Sequence, residues 1–145
     1  QGAVVLMVSS PVLVVAAHPG GRLGILDTAG FLLWAVGLLF ESIGDRQLLK
    51  FKKDPANKGK IITTGLWRYT RHPNYFGECT LWWGVYLVAL GSGSAWWTVI
   101  SPLTINFLLL YVSGIPMLEK KYEGNPDFEE YKSQTSPLIP WHPKT

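Results

Sequence analysis

Cysteine is almost missing from this sequence. Cys79 is the single cysteine among 145 residues, so a disulfide within the chain is excluded. A lone thiol inside an apolar stretch is typical of a small buried side chain, and it says nothing about the cellular compartment.

The chain also has little excess of charge of either sign. Thirteen Lys and Arg residues stand against ten Asp and Glu, which gives a net charge of +3. Proteins that bind nucleic acid carry clustered basic residues beside exposed aromatics, whereas most of the aromatic residues here lie inside apolar blocks. We therefore expect no nucleic-acid partner.

Residue patterns typical of metal sites and soluble nucleotide-binding domains are also lacking. His18, His72 and His142 are far apart in sequence and do not have the spacing of metal ligands. No arrangement of Ser, Cys, His and Asp indicates a nucleophile, and no glycine-rich turn follows a strand. We expect no metal site and no Rossmann domain.

Long apolar blocks are the main feature that is present. They cover residues 3–17, 28–49, 73–90 and 95–112, and each is roughly as long as the about 20 residues that a helix needs to cross a bilayer. The pattern predicts an all-α, polytopic transmembrane bundle of about four membrane helices in a single membrane domain, residues 1–145.

Apolar blocks also occur in soluble helical bundles and in signal peptides. A soluble helical bundle would show polar residues every three or four positions, and residues 81–90 and 107–112 show almost none. A cleavable signal peptide over residues 3–17 would follow a basic stretch, which is lacking. Both are therefore disfavoured.

Basic residues alternate between the connections. Residues 18–27 hold only Arg22 and residues 91–94, predicted to form a tight turn, hold no charge, whereas residues 50–75 and the tail after Gly114 are rich in Lys and Arg. Because cytoplasmic loops carry the excess of Lys and Arg, we expect the 50–75 loop and the C-terminus in the cytoplasm of a multi-pass membrane protein.

Residues 65–84 are richest in chemistry. Pro73 suits the first turn of a helix, and the free N–H groups of such a turn attract anions. Arg68, Arg71 and His72 come just before it. These residues predict a cradle for a phosphate or carboxylate, and equally well a patch that holds anionic lipid headgroups.

Acidic residues near the helix ends are the next candidates. Asn74 and Glu78 are four residues apart and share a helix face. An acid inside a membrane span is usually functional, and the alternative is an ion pair of Glu78 with Arg71 or a lysine.

Glu41 and Asp45 also share a helix face. Their carboxylates would repel each other unless a donor, such as Arg68, Arg71 or a ligand hydroxyl, lies between them. The alternative is a solvated helix end.

The tail contains a weaker pattern. A turn at 124–126 is flanked by Tyr122 and Tyr131. A short amphipathic helix with Phe128 and Tyr131 facing inward would close over the cytoplasmic face, and an inert surface tail is the alternative.

The string from Arg71 to Glu78, Arg-His-Pro-Asn-Tyr-Phe-Gly-Glu, carries a family resemblance. With Gly65-Leu-Trp-Arg before it and Trp82-Trp-Gly84 after it, it resembles the DUF1295 family, which is related to steroid 5-alpha-reductases and to sterol C14 and C24(28) reductases. The resemblance covers nearly the whole chain and includes Glu41, Asp45-Arg-Gln47, Ser113-Gly-Ile-Pro116, Glu119, Tyr131 and Ile139-Pro140.

This resemblance implies a membrane-embedded, NADPH-dependent reductase that transfers a hydride to a C=C bond of a steroid-like or other lipid substrate. NADPH would bind in a cytoplasm-facing pocket of the C-terminal half, and the cofactor would carry the hydride. The resemblance and the anion cradle together give these cofactor-binding residues: Asp45, Gln47, Lys52, Arg68, Arg71, His72, Asn74, Tyr75, Glu78, Glu119 and Tyr131. No catalytic residue is assigned.

Members of the family have further helices before this region, and in the steroid reductases those helices touch the substrate. The resemblance thus covers the C-terminal, cofactor-binding half, and we expect no turnover from these 145 residues alone. The substrate, the proton donor, the oligomeric state and the particular membrane stay open. Membrane lipids are the expected surroundings.

Two other functions remain under consideration. Isoprenylcysteine carboxyl methyltransferases, which use S-adenosylmethionine, share the Arg-His-Pro-x-Tyr element and the membrane setting; Asn74, Glu78, the Asp45-Arg-Gln47 string and Trp82-Trp83 favour the reductase. The third is a non-enzymatic lipid-binding membrane protein, against which the intact set of polar pocket residues argues.

Overall fold

Helices account for all the regular structure in the residues that the computed structural model describes, which are 2–17, 23–93 and 95–144. The α-helices are α1 (Gly2–Ala17), α2 (Ile25–Lys53), α3 (Pro73–Gly91), α4 (Ile100–Phe107), α5 (Ile115–Glu119) and α6 (Pro126–Gln134). Short 3-10 turns cover Pro55–Asn57, Gly65–Arg68, Trp96–Val99 and Lys120–Tyr122, and a π-helical turn, Leu108–Val112, extends α4. The predicted all-α class is confirmed, and each of the four apolar blocks is helical over most of its length.

The helix ends follow local chemistry. Asp27 accepts a hydrogen bond from the Gly24 N–H at 2.8 Å, which caps the start of α2. The last turn of α2 carries Lys50, Lys52 and Lys53, whose charge complements the negative end of the helix dipole. Pro73 begins α3 as predicted. Arg22 in the first connection and Ser94 in the predicted 91–94 turn lie outside the described residues, as does His18.

Glycines bring α2 and α3 into backbone contact. Gly30, Gly37 and Gly44 recur every seven residues along α2, and Gly77, Gly84 and Gly91 do so along α3. A Cβ atom added to Gly37 would lie 2.6 Å from the Gly77 carbonyl oxygen, and one added to Gly84 would lie 2.6 Å from the Gly30 carbonyl oxygen. The two helices are thus antiparallel and packed so closely that only glycine fits where they cross.

The remaining long helices pack beside this pair. Helix α1 contacts α3 and α4, and the Ser101 hydroxyl of α4 donates to the Val8 carbonyl of α1 at 2.7 Å. Such side-chain hydrogen bonds are a usual means of joining helices in an apolar environment.

The outer faces of the bundle are apolar. Val5, Leu6, Phe31, Leu32 and Leu39 are each more than half exposed, which suits contact with lipid. Among the described residues, two helical stretches, Ile25–Lys53 and Trp96–Tyr122, are long and apolar enough to cross a membrane. Two of the about four expected membrane helices meet this standard; α1 is a shorter apolar helix of 16 residues.

The C-terminal strap, residues 126–144, docks on the segment that precedes α3. The Arg71 N–H donates to the Ser136 carbonyl, and the Trp141 N–H donates to the Tyr69 carbonyl, both at 2.9 Å. Phe128 and Tyr131 are buried, which confirms the predicted amphipathic helix. The inert surface tail is therefore the wrong alternative.

Candidate cofactor-binding site

A small cavity of about 130 Å³ lies where the strap covers the end of the α2–α3 pair. Its apolar wall includes Leu48, Ile62, Trp67, Leu118 and Phe128. Its polar lining brings together six of the predicted cofactor-binding residues with one lysine that was not predicted: Lys52, Lys60, Arg71, His72, Asn74, Glu119 and Tyr131.

Glu119, at the end of α5, connects the polar groups of this cavity. Its Oε1 atom accepts from Arg71 Nε at 2.8 Å and lies 3.0 Å from His72 Nε2. Its Oε2 atom is 3.9 Å from the Lys132 ammonium. A partly buried carboxylate with this many donors is held as an anion in one orientation.

Arg71 is used inside the protein. Besides Glu119, its guanidinium donates to the main-chain carbonyls of Lys132 and Thr135 in α6 and directly after it. The side chain is only 7% exposed. These bonds attach the strap to the start of α3, and the ion pair that was weighed between Arg71 and Glu78 does not form among the described residues.

His72 precedes α3 and is buried. Its ring stacks on Tyr75, with centroids 5.4 Å apart and planes 11° apart. Burial is the main influence on the imidazole and lowers the pKa of His72; the Arg71 charge adds to this, while the contact with Glu119 opposes it. His72 Nδ1 is buried and has no hydrogen-bond partner among the described residues.

Asn74 and Asp45 link α3 to α2. The Asn74 amide donates to Asp45 Oδ1 at 3.0 Å, so a donor does approach this acid, although it is neither of the arginines considered from sequence. The Asn74 Oδ1 atom, like His72 Nδ1, is buried without a partner in the described part of the chain.

Gln47 acts on the backbone. Its side-chain oxygen accepts from the Leu66 N–H at 3.0 Å, beside Gly65, whose φ of +66° suits glycine. The Trp67 indole donates to the Gly44 carbonyl at 3.1 Å nearby. Gln47 therefore fixes the 65–68 turn, and it is not among the residues that line the 130 Å³ cavity.

Arg68 faces another space. It lines an open cleft of about 630 Å³ between residues 63–68 and the strap, together with Asp127, Glu130 and Gln134. Tyr131 borders both this cleft and the smaller cavity. The structure thus separates Arg68 from Arg71, which the sequence placed in one cradle.

Tyr131 is tied to the backbone as well. Its hydroxyl donates to the Trp67 carbonyl, and burial raises the pKa of Tyr131. A phenol whose proton is committed and whose ionised form is disfavoured is a poor proton donor, which agrees with leaving it out of the catalytic residues.

Glu41, Asp45 and Glu78 lie close enough to interact electrostatically. No salt bridge to any of these acids forms within the described residues. Glu78 is half-buried in α3 and is not among the residues that line the cavity, so its place in the cofactor site stays a prediction.

Two features of the site cannot be predicted from the sequence: the position of the 60–62 loop and the main-chain carbonyls that accept from Arg71. Lys60 belongs to the basic 50–75 loop, and nothing in the sequence shows that residues 60–62 fold back onto the cavity. The carbonyls that accept from Arg71 have no sequence signal at all. The glycines that recur every seven residues along α2 and α3 are a sequence signal for the close contact between these helices.

The residues around the cavity fit part of a dinucleotide. Lys52 and Lys60 offer positive charge for phosphate, and the two unpartnered acceptors, His72 Nδ1 and Asn74 Oδ1, fit hydroxyl or amide donors. A volume of about 130 Å³ is below the roughly 300–1,000 Å³ typical of small-molecule sites. The cavity therefore has room for only a portion of such a cofactor.

The chain is similar to one protein family and to several known proteins. A family model described as "Protein of unknown function (DUF1295)" matches residues 1–135. The chain is 31% identical to 3-oxo-5-alpha-steroid 4-dehydrogenase 1 of Rattus norvegicus over 112 residues, and 30% identical to that of Homo sapiens over 112 residues. Each match covers 77% of this chain and 40% of the relative.

A shorter match has higher identity. The chain is 47% identical over 53 residues to the "Probable O-methyltransferase ustE" of Ustilaginoidea virens, which covers 37% of this chain and 18% of the relative. The chain therefore spans less than half the length of each of these relatives. No solved structure matches.

Proposed function

The chain belongs to the DUF1295 family, and we propose that it is the cofactor-binding part of a membrane reductase that uses NADPH to reduce a C=C bond of a steroid-like lipid. The observation that carries the proposal is the similarity to steroid dehydrogenases over 77% of the chain. A dehydrogenase exchanges a hydride with its substrate, and in enzymes of this class a nicotinamide cofactor supplies it.

The polar groups of the cavity support this proposal. In it, Lys52 and Lys60 bind phosphate, and His72 and Asn74 accept from hydroxyl or amide groups of the cofactor. Arg71 and Glu119 hold these groups in place because their bonds join α3, α5 and the strap.

Orientation is a further part of the proposal. The cavity lies at the end of α2 that carries Lys50, Lys52 and Lys53. By the excess of basic residues in cytoplasmic loops, this end and the strap face the cytoplasm, where NADPH is found.

A methyltransferase is the second candidate. It is favoured by the 47% identity to a probable O-methyltransferase, although that match covers only 53 residues. S-adenosylmethionine carries one carboxylate, whereas the cavity presents two lysines besides the engaged Arg71. The excess of positive charge supports a ligand with several phosphates.

An activity assay on the full-length protein in nanodiscs tests the proposal. NADPH absorbance is followed with a 3-oxo-4-ene steroid as substrate, beside a parallel assay of methyl transfer from S-adenosylmethionine. We expect NADPH consumption that depends on steroid, and none from the 145-residue chain alone. Methyl transfer without NADPH consumption would overturn the proposal.

A further inference from the structure

We infer that Glu119 is a positioning residue that holds His72 in the tautomer protonated at Nε2, so that His72 Nδ1 serves the cavity as a hydrogen-bond acceptor for an N–H or O–H group of the bound ligand. The inference deepens the proposed cofactor site. It rests on that proposal for the presence of a ligand but not for which nucleotide is bound.

The tautomer follows from the contacts of Glu119. His72 Nε2 lies 3.0 Å from Glu119 Oε1, which also accepts from Arg71 Nε at 2.8 Å. A carboxylate oxygen that is paired with arginine is an acceptor, so the imidazole nitrogen that faces it must carry the proton. In a neutral imidazole, the other nitrogen is then an acceptor.

The second nitrogen, His72 Nδ1, has no hydrogen-bond donor beside it in the described part of the chain. His72 is 6% exposed, and its Nδ1 atom is buried with no partner in the described residues. Buried polar atoms without a partner are rare in native proteins, and each calls for an explanation. The ring cannot easily turn to find another partner, because it stacks on Tyr75 and is held by Glu119.

Asn74, which lines the same cavity as His72, carries a second unpartnered acceptor. The Asn74 amide nitrogen donates to Asp45, which leaves Asn74 Oδ1 buried and unpaired. Lys52 and Lys60 line this cavity too. Two residues with a free acceptor and two lysines thus line one cavity. This set suits a ligand that carries hydroxyl or carboxamide donors together with an anionic group, as a ribose phosphate or a nicotinamide nucleotide does.

Nitrogen NMR of the full-length protein in nanodiscs, labelled with ¹⁵N-histidine, tests this directly. The two nitrogens of His72 are assigned by subtraction with His72→Gln. We expect a protonated Nε2 and an unprotonated Nδ1, and an upfield shift of Nδ1 when NADP⁺ is added, because an acceptor nitrogen shifts upfield on receiving a hydrogen bond.

A matched pair of variants tests the role of Glu119. Glu119→Gln keeps an acceptor oxygen opposite His72 and is expected to keep the tautomer, whereas Glu119→Leu removes the acceptor and is expected to give a mixture of both tautomers. Lys132→Ala, which removes the charge 3.9 Å from Glu119 Oε2, is the control and should leave the His72 signals in place. If Glu119→Leu does not fold, the wild type and Glu119→Gln decide.

Ligand binding gives the second readout. His72→Gln keeps a donor toward Glu119 but loses the Nδ1 acceptor, so the affinity for NADP⁺ should fall about fivefold to tenfold, the worth of one ordinary hydrogen bond. An Nδ1 shift with S-adenosylmethionine and none with NADP⁺ would keep this inference and overturn the reductase. A proton on Nδ1 in the wild type, or an Nδ1 signal that neither compound moves, would overturn the inference.

Discussion

Arg71 Nε and Glu119 Oε1 lie 2.8 Å apart and join the start of α3 to the end of α5. The same guanidinium donates to two carbonyls of the C-terminal region. The arginine that appears from sequence to be a phosphate ligand thus has most of its donors bonded within the protein. This relationship makes Arg71 the residue on which the shape of the cavity depends.

Arg71→Ala should therefore lower the free energy of unfolding, and any loss of nucleotide binding should follow from that loss of stability. Removing one partner of a buried pair leaves Glu119 uncompensated, and such losses cost roughly 3 kcal/mol. Thermal unfolding in detergent and limited proteolysis of the strap measure the effect, and exposed Arg68→Ala is the matched control, expected to change little. A stable Arg71→Ala protein that no longer binds nucleotide would show instead that Arg71 is a direct ligand.

The glycine contact between α2 and α3 gives a second prediction. Gly37→Ala places a methyl group against the Gly77 carbonyl, and overpacking of this kind typically costs about 1–3 kcal/mol. Gly44→Ala is the graded control: its methyl group would meet Pro73 Cγ and the Asn74 nitrogen at 3.2 Å, and the helix gains about 1 kcal/mol from alanine. Apparent melting temperatures compare the two, and equal values would contradict the close packing of α2 and α3.

Much of this fold was readable from the sequence because long apolar blocks and Pro73 leave few alternatives to helix. The inward positions of Phe128 and Tyr131 followed from helical periodicity. The partners of Arg71 and Gln47 were not readable, because these side chains bond to main-chain atoms of distant residues. Sequence spacing alone predicts that Arg68 and Arg71 lie together. In the structure the turn at 65–68 and the strap separate them, so that Arg68 lines the open cleft and Arg71 lines the smaller cavity.

Acid should destabilise the protein through His72. Burial lowers the pKa of His72 below its usual 6.5. The Arg71 charge lowers this pKa further, whereas the contact with Glu119 raises it. The unfolded chain therefore binds a proton that the folded chain resists, so stability is complete above about pH 6.5 and falls as the pH drops below it.

Melting temperatures measured across the pH range of about 5 to 8, in which histidine changes charge, check this expectation. His72→Gln should flatten the acid side of the curve. His142→Gln, at an exposed position beside Tyr69, is the control and should leave the curve unchanged. A curve that His72→Gln does not alter would contradict the assignment to His72.

Membrane orientation is open to labelling. In a Cys79→Ala background, Ser92→Cys reports on the uncharged end of α3 and Lys144→Cys on the strap. We expect a membrane-impermeant thiol reagent to reach these positions from opposite sides of sealed vesicles, because basic segments stay in the cytoplasm. Labelling of both from one side would contradict the proposed orientation.

Nucleotide titration of the full-length protein in nanodiscs decides which cofactor the cavity binds. Binding of NADPH and of S-adenosylmethionine is measured by calorimetry, with Asn74→Ala and Lys52→Ala beside the wild type. We expect that NADPH binds and S-adenosylmethionine does not, and that both variants lower the affinity for NADPH. Added salt should diminish the effect of Lys52→Ala more than that of Asn74→Ala, because charge contacts are screened. Tight binding of S-adenosylmethionine by a wild type that ignores NADPH would contradict the proposed use of NADPH.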